Sequence, residues 1–328
     1  MTAADRLPAP RLLFVHAHPD DETLTTGLTM AHYAAAGCDV HVLTCTLGEE
    51  GEVIPTPLAH LAADRDDALG GHRREELREA MRRLGVTHHV LGEDPGQGVP
   101  SRYRDSGMAG MPSAADPRAF VNADLSEAAG LVAQHLRVVR PDVVVTYDEH
   151  GGYAHPDHIR THEVTMAALR QLDHGPLPAA YVVLTPLQWA VQDREWLAGH
   201  VARDPASGLT VPDPDDAFPP SVVPDEVVTH GVVRPDLVDR QATALAAHAT
   251  QVRVFDGYYA LSNDVAARLA GREGFAAVDP RTGRPQGTGA YPPVGASHSH
   301  DGHENHDGLD GRVGPVRRGL LGEVGPWA

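Results

Sequence analysis

The chain reads as an α/β protein: a Rossmann-like, mostly parallel sheet with helices on both faces, followed by a smaller C-terminal α/β portion. Three observations predict this. Near-continuous apolar and β-branched runs alternate with helix-like segments, the pattern of parallel strands buried on both faces. Two of those runs, Leu12-Leu13-Phe14-Val15 and Val143-Val144-Val145, lead into dense clusters of ionisable residues, as at the carboxyl ends of strands where such sheets bind ligands. Hydrophobic residues make up 41% of the 328 positions, enough to bury a substantial core.

Taken in order, residues 11–17 read as a strand, 24–36 as a helix and 39–46 as a strand. A helix over 72–84, a short strand over 88–91 and a helix over 122–139 follow. The run Val143-Val144-Val145-Thr146-Tyr147 makes 142–147 a strand. Pro156 suits the first turn of a helix over 156–172, and 180–185 closes the series as a strand. Residues 1–185 thus form the core. Residues 186–279 complete the same domain less regularly: a Pro- and Asp-rich loop over 205–224, a strand over 226–233 and a helix over 235–251. Residues 280–314 are of low complexity, with His298, His300, His303 and His306 among Gly, Ser, Asp and Pro, and read as a disordered segment. Residues 315–328 read as a tail.

Composition excludes several classes. The net charge is -18, and all 27 basic residues are arginine, so neither nucleic acid nor an anionic membrane is expected as partner. Two cysteines, Cys38 and Cys45, are too few for a disulfide scaffold and read as reduced core thiols. The amino terminus lacks the apolar stretch of a signal peptide and no run reaches membrane-spanning length, so a cytoplasmic protein is expected.

The chemistry is concentrated at the two strand ends. Val15-His16-Ala17-His18-Pro19-Asp20-Asp21-Glu22 packs two imidazoles and three carboxylates together, which is costly to bury without a metal or a reaction to serve. Gly151-Gly152-Tyr153-Ala154-His155-Pro156-Asp157-His158 repeats the His-Pro-Asp core. In each, residues three apart fall on one side of a strand-to-helix turn, so His18 with Asp21, and His155 with His158, can converge on one cation. Two His and one Asp would leave a catalytic metal open to water and substrate, and Asp20 is then the neighbouring carboxylate able to take the water's proton. A dinucleotide site is disfavoured, because no Gly-x-Gly-x-x-Gly follows the first strand.

With these motifs the chain resembles the LmbE-like (PIG-L) zinc deacetylase family. Leu43-Thr44-Cys45-Thr46-Leu47-Gly48-Glu49-Glu50-Gly51-Glu52 and Tyr103-Arg104-Asp105-Ser106-Gly107-Met108-Ala109-Gly110 are similar to one branch of it. That branch contains the N-acetylglucosaminyl-inositol deacetylase of mycothiol biosynthesis and the mycothiol S-conjugate amidase. The resemblance runs from about Arg11 to about Asp264. It implies one zinc per subunit, held by His18, Asp21 and His158; two His and one Asp accommodate iron(II) as well, so the sequence leaves zinc and iron(II) open in the cell. It further implies Asp20 as general base, and His155 as acid or oxyanion donor with Asp157 orienting its ring. Tyr153 would bond the oxyanion; Arg73, Asp105, Glu52 and Met108 would surround a sugar–inositol substrate. Thr25, where the amidase branch carries lysine, favours the deacetylase over the amidase. A non-catalytic metal-buffering protein using the His-rich tract is the rival from another class. Oligomeric state is left open.

Overall fold

The computed structural model describes residues 8–172, 175–201, 207–213, 215–286 and 317–321; the four histidines at 298, 300, 303 and 306 lie outside the described residues. The first half alternates as expected: β1 (Arg11–His16), α1 (Asp21–Ala35), β2 (Asp39–Thr44), α2 (Leu69–Leu84), β3 (Thr87–Val90), α3 (Leu125–Val139) and β4 (Val143–Tyr147). A short kinked turn, α4 (Gly151–Ala154), precedes α5 (Pro156–Arg170) and β5 (Ala179–Val183). The second half contributes β6 (Thr185–Pro186), α6 (Leu187–His200), β7 (Val222–Val223), β8 (His230–Val233), α7 (Val238–Leu245), β9 (Arg253–Val254), β10 (Tyr258–Ala260), β11 (Ala266–Arg268), β12 (Arg272–Val278) and β13 (Arg317–Arg318).

Eight strands form the main sheet in the order β13-β8-β12-β5-β4-β1-β2-β3. β3 through β5 run parallel, and β12 is antiparallel to both its neighbours. Side chains alternate across the sheet. Leu12 and Phe14 of β1 pack under α1 and α2 with Leu28, Tyr33, Leu77 and Met81. Leu13 and Val15 pack on the opposite face against α3 and α5 with Val132, Leu136 and Leu169. Both faces being covered explains why Leu12–Val15 of β1 and Val143–Val145 of β4 are apolar at consecutive positions rather than at alternate ones. Burial also pushes the Cys38 and Cys45 thiols up to about 11 and about 12, so both are inert core residues.

Helix ends follow local chemistry. Asp124 caps α3 by accepting the Glu127 N–H at 2.9 Å, and Gly85 ends α2 with φ 73°. α2 begins at Leu69, before the expected 72, and α3 at Leu125, after the expected 122, and other expectations differ as well. α1 starts at Asp21, three residues before the apolar period begins, because its opening turn is polar. The expected strand over 226–233 splits into a 3₁₀ turn, Asp225–Val227, and β8. The expected helix over 235–251 is α7 alone, preceded by a 3₁₀ turn at Pro235–Leu237. Of the expected tail, residues 317–321 return to the sheet: the Leu320 N–H donates to the Tyr33 hydroxyl at 2.5 Å, and Leu320 is buried.

Candidate active site

From β1 the chain turns to β2 on one side, while β4 lies on the other side and leads to β5, so the strand order reverses between β1 and β4. The crevice outside such a reversal is where open α/β sheets bind ligands. Both His-Pro-Asp elements open into it, because one follows β1 and the other follows β4.

His18 Nδ1 lies 3.2 Å from Asp21 Oδ2, and His18 Nε2 lies 3.3 Å from Asp157 Oδ2 and 3.4 Å from Asp105 Oδ1. Asp21 Oδ2 accepts the His18 N–H at 2.9 Å and sits 3.2 Å from His158 Nε2. Pro156 occupies the first turn of α5 and His155 caps it, so His155 and His158 stack with ring centroids 4.7 Å apart. Tyr147, the last residue of β4, stacks on the other side of His158 at 4.2 Å, and its hydroxyl accepts the Ala17 N–H at 3.0 Å. All of these groups are buried.

Their electrostatics are mutual. Burial disfavours the His18 imidazolium, but Asp105, Asp157 and Asp21 outweigh it and push its pKa up. Burial alone would raise Asp21, yet His158 and His18 hold it well below the usual carboxylate range. His155 is pushed down to about 3, first by burial and then by the neighbouring rings. Asp20 is raised to about 6 by burial, against the pull of the Arg73 guanidinium 3.2 Å from its Oδ2.

A divalent metal fits this donor set. Both ring nitrogens of His158 are buried and make no hydrogen bond, although Nε2 faces Asp21 Oδ2. Donor atoms of His18, His155 and His158 lie within 4.8 Å of one another, as do those of His18, Asp105 and Asp157. Among the described residues, His16, His135 and His248 each leave one buried ring nitrogen without a partner and His158 leaves both, and imidazole with carboxylate suits zinc or iron(II).

The remaining expected residues surround the same cleft of about 810 Å³. Arg73 is buried and donates to the carbonyls of Gly48 at 2.8 Å and Pro19 at 2.5 Å. Asp105 accepts the Gly107 N–H at 2.8 Å and the Glu50 N–H at 3.2 Å. Both are therefore tied into the cleft wall, while Glu52 and Met108 are exposed at its mouth. The Thr25 hydroxyl donates to the Asp21 carbonyl at 2.7 Å, a bond internal to α1. The Tyr153 ring stands edge-on to His158 at 5.1 Å, in a turn bent by Gly152 at φ 73°. Asp157 differs from its expected role: its carboxylate faces His18 and the Ser106 N–H, and only its backbone N–H reaches His155 Nδ1, at 3.1 Å. The cap position of His155 accounts for this, since a cap accepts from a backbone N–H of the first turn.

Sequence reasoning missed Tyr147, although it ends the second motif's strand. It also missed the contribution of the second half, where Trp189, Tyr259 and Arg268 line the cleft; no local pattern marks them.

Fold and site together define an α/β protein with a buried imidazole–carboxylate metal centre at the reversal point of its sheet. The PIG-L family profile, described as GlcNAc-PI de-N-acetylase, matches residues 13–169. The 1D-myo-inositol 2-acetamido-2-deoxy-alpha-D-glucopyranoside deacetylase of Rhodococcus opacus is 48% identical over 276 residues, 82% of this chain and 91% of that protein. The enzymes of that name from Acidothermus cellulolyticus and Thermobifida fusca are 47% and 46% identical, over 80% and 83% of this chain and 86% and 95% of theirs. Among solved structures, N,N'-diacetylchitobiose deacetylase from Pyrococcus horikoshii superposes with a TM-score of 0.44 at 20% identity, covering 74% of this chain and 71% of that one. The chain belongs to the PIG-L family and is an amidohydrolase of the deacetylase class. Among the described residues no helix is long and apolar enough to cross a membrane.

Proposed function

We propose that the protein is a zinc-dependent, cytoplasmic deacetylase that hydrolyses 1D-myo-inositol 2-acetamido-2-deoxy-α-D-glucopyranoside to the free amine and acetate in mycothiol biosynthesis. The observation that carries this reading is a pair of facts: relatives of that name match four fifths of the chain, and the buried His/Asp centre opens into a cleft of ligand size.

His18, Asp21 and His158 would hold one metal ion. When bound there, it supplies Lewis acidity to the acetyl carbonyl and lowers the pKa of the attacking water. Asp20, beside the ligands, takes that water's proton. His155 accepts the Asp157 N–H at Nδ1, so a neutral ring carries its proton on Nε2, from where it hydrogen-bonds to the developing oxyanion, and Asp20 returns the proton it took to the leaving amine as the C–N bond breaks. The Tyr153 hydroxyl donates to the same oxyanion. Asp157 orients the His18 ring. Glu52, Met108, Thr25, Arg73 and Asp105 form the walls that receive the sugar and inositol hydroxyls.

The nearest rival, mycothiol S-conjugate amidase, performs the same reaction on a larger acyl group; Thr25 supports the deacetylase. Free-amine release from the acetylated inositol glycoside and from a mycothiol conjugate, measured side by side, tests the choice. The glycoside is expected to be preferred by at least about tenfold in kcat/KM, and the reverse order would overturn it. His158→Ala should sharply lower bound metal and abolish turnover, since three ligands leave little redundancy; full metal content in that variant would refute the ligand set. Replacing His298, His300, His303 and His306 by Ser should leave turnover and site metal intact, which a metal-buffering protein would not do.

A further inference from the structure

Asp20 has a backbone that needs holding. Its φ of 120° and ψ of -36° lie in a region L residues rarely adopt, and such a residue persists only where its surroundings over-determine it. Its N–H donates to Glu22 Oε2 at 3.0 Å. The other oxygen of that carboxylate, Oε1, accepts the Thr23 hydroxyl at 2.6 Å and His248 Nε2 at 3.1 Å. Glu22 and His248 are both wholly buried, and neither lines the cleft. A carboxylate in that position is costly unless paired, and His248 is the partner, brought from the turn after α7.

The same turn is bolted to a second support. Thr250 donates to Glu76 through its N–H at 2.8 Å and its hydroxyl at 2.7 Å. Glu76 lies one helical turn after Arg73 on α2, and Arg73 holds the Asp20 carboxylate at 3.2 Å and the Pro19 carbonyl at 2.5 Å. Asp20 is therefore gripped at its N–H through Glu22 and at its carboxylate through Arg73, and both grips are referenced to residues 248–250.

We propose that His248 and Glu22 are positioning residues for the general base: their buried pair keeps Asp20 in its strained conformation with the carboxylate aimed into the cleft. The proposal rests on the reading of Asp20 as base, and goes beyond it by assigning the C-terminal portion a part in the reaction.

The test is a kinetic cycle on the metal-loaded, full-length protein with the acetylated inositol glycoside. His248→Leu should lower kcat on the order of ten- to a hundredfold, the scale of a misplacement of about 1 Å, while KM and bound metal stay near wild type. His248→Gln, which keeps an N–H donor, should recover most of the loss. In an Asp20→Asn background, His248→Leu should cost little, because no carboxylate base remains to be positioned. Equal cost in both backgrounds, an unchanged kcat, or parallel loss of metal would overturn the proposal. A fully active Asp20→Asn would instead overturn the assignment of the base, a separate signature. Should His248→Leu fail to fold, Glu22→Gln run through the same cycle decides on the same criterion: a kcat loss confined to the Asp20 background supports the pair, and an equal or absent loss refutes it.

Discussion

Asp20 and Asp21 are adjacent in sequence and opposite in environment. Asp21 lies between two imidazoles that keep it ionised, whereas burial raises Asp20 to about 6 with Arg73 pulling against it. The proposed ligand and the proposed base are thus separated by what each carboxylate faces. Asp20→Asn is accordingly expected to retain metal and to lose at least about a hundredfold in kcat, within the usual range for a general base; metal loss measured in parallel would make it a ligand. Glu273 offers a test of a different kind. It is buried on β12 and accepts the N–H groups of Leu28 and Thr29, each at 2.9 Å, yet burial outweighs these bonds and raises it from 4.5 to about 7. A raised carboxyl pKa favours folding while the group is protonated, so its contribution is full below pH 4.5 and is lost as pH rises through about 7. The shift corresponds to roughly 3 kcal/mol. Urea titrations at pH 5 and pH 8 should show Glu273→Gln gaining on the wild type at the higher pH; a constant gap would mean that Glu273 stays ionised in the folded protein.

At the scale of elements, the site is set by where strands hand over to helices. β1 and β4 end at the same level of the sheet, and α1 and α5 begin there, so His18, Asp21, His155 and His158 meet although the two motifs are more than a hundred positions apart in the sequence. α2 contributes Arg73 only because Gly48 leaves room for it. A Cβ at Gly48 would stand 1.9 Å from Arg73 Nη1, and Gly48 has φ 65°. Gly48→Ala is therefore expected to displace Arg73, loosen Asp20 and lower kcat on the order of tenfold or more, with bound metal unchanged. Full activity in that variant would mean that Arg73 has no part in aiming the base. The motif segments were legible in the sequence because each is a local run whose spacing survives folding. Asp157 was not, since what its carboxylate faces depends on Ser106 and His18, brought by other elements.

For the whole molecule, the sheet is closed on one side by strands that carry little signal of their own. β12 reads Arg-Glu-Gly-Phe-Ala-Ala-Val and inserts between β5 and β8; a Cβ at Gly274 would lie 2.5 Å from the Leu184 carbonyl oxygen, so packing against a neighbour selects this glycine. β13 extends the edge beside β8, and Leu320 is pinned by the hydroxyls of Tyr33 and Tyr181. Leu320→Ala should lower stability by about 2 kcal/mol or more, a large-to-small loss in a core, seen as a reduced Tm with kcat unchanged; an unaltered Tm would mean the segment adds nothing to the fold. The sequence by itself determined the α/β class, the parallel strands with their covering helices, and the four ionisable positions that meet at the centre, because apolar period and motif spacing are properties of short segments. Tertiary structure alone decided which groups those residues face: Asp157 turned to His18, Arg73 locked against Asp20, and His248 paired with Glu22 from 226 positions away. Such partners are chosen by burial, where an ionised group must find a counter-charge wherever the fold supplies one, and no local pattern encodes that choice.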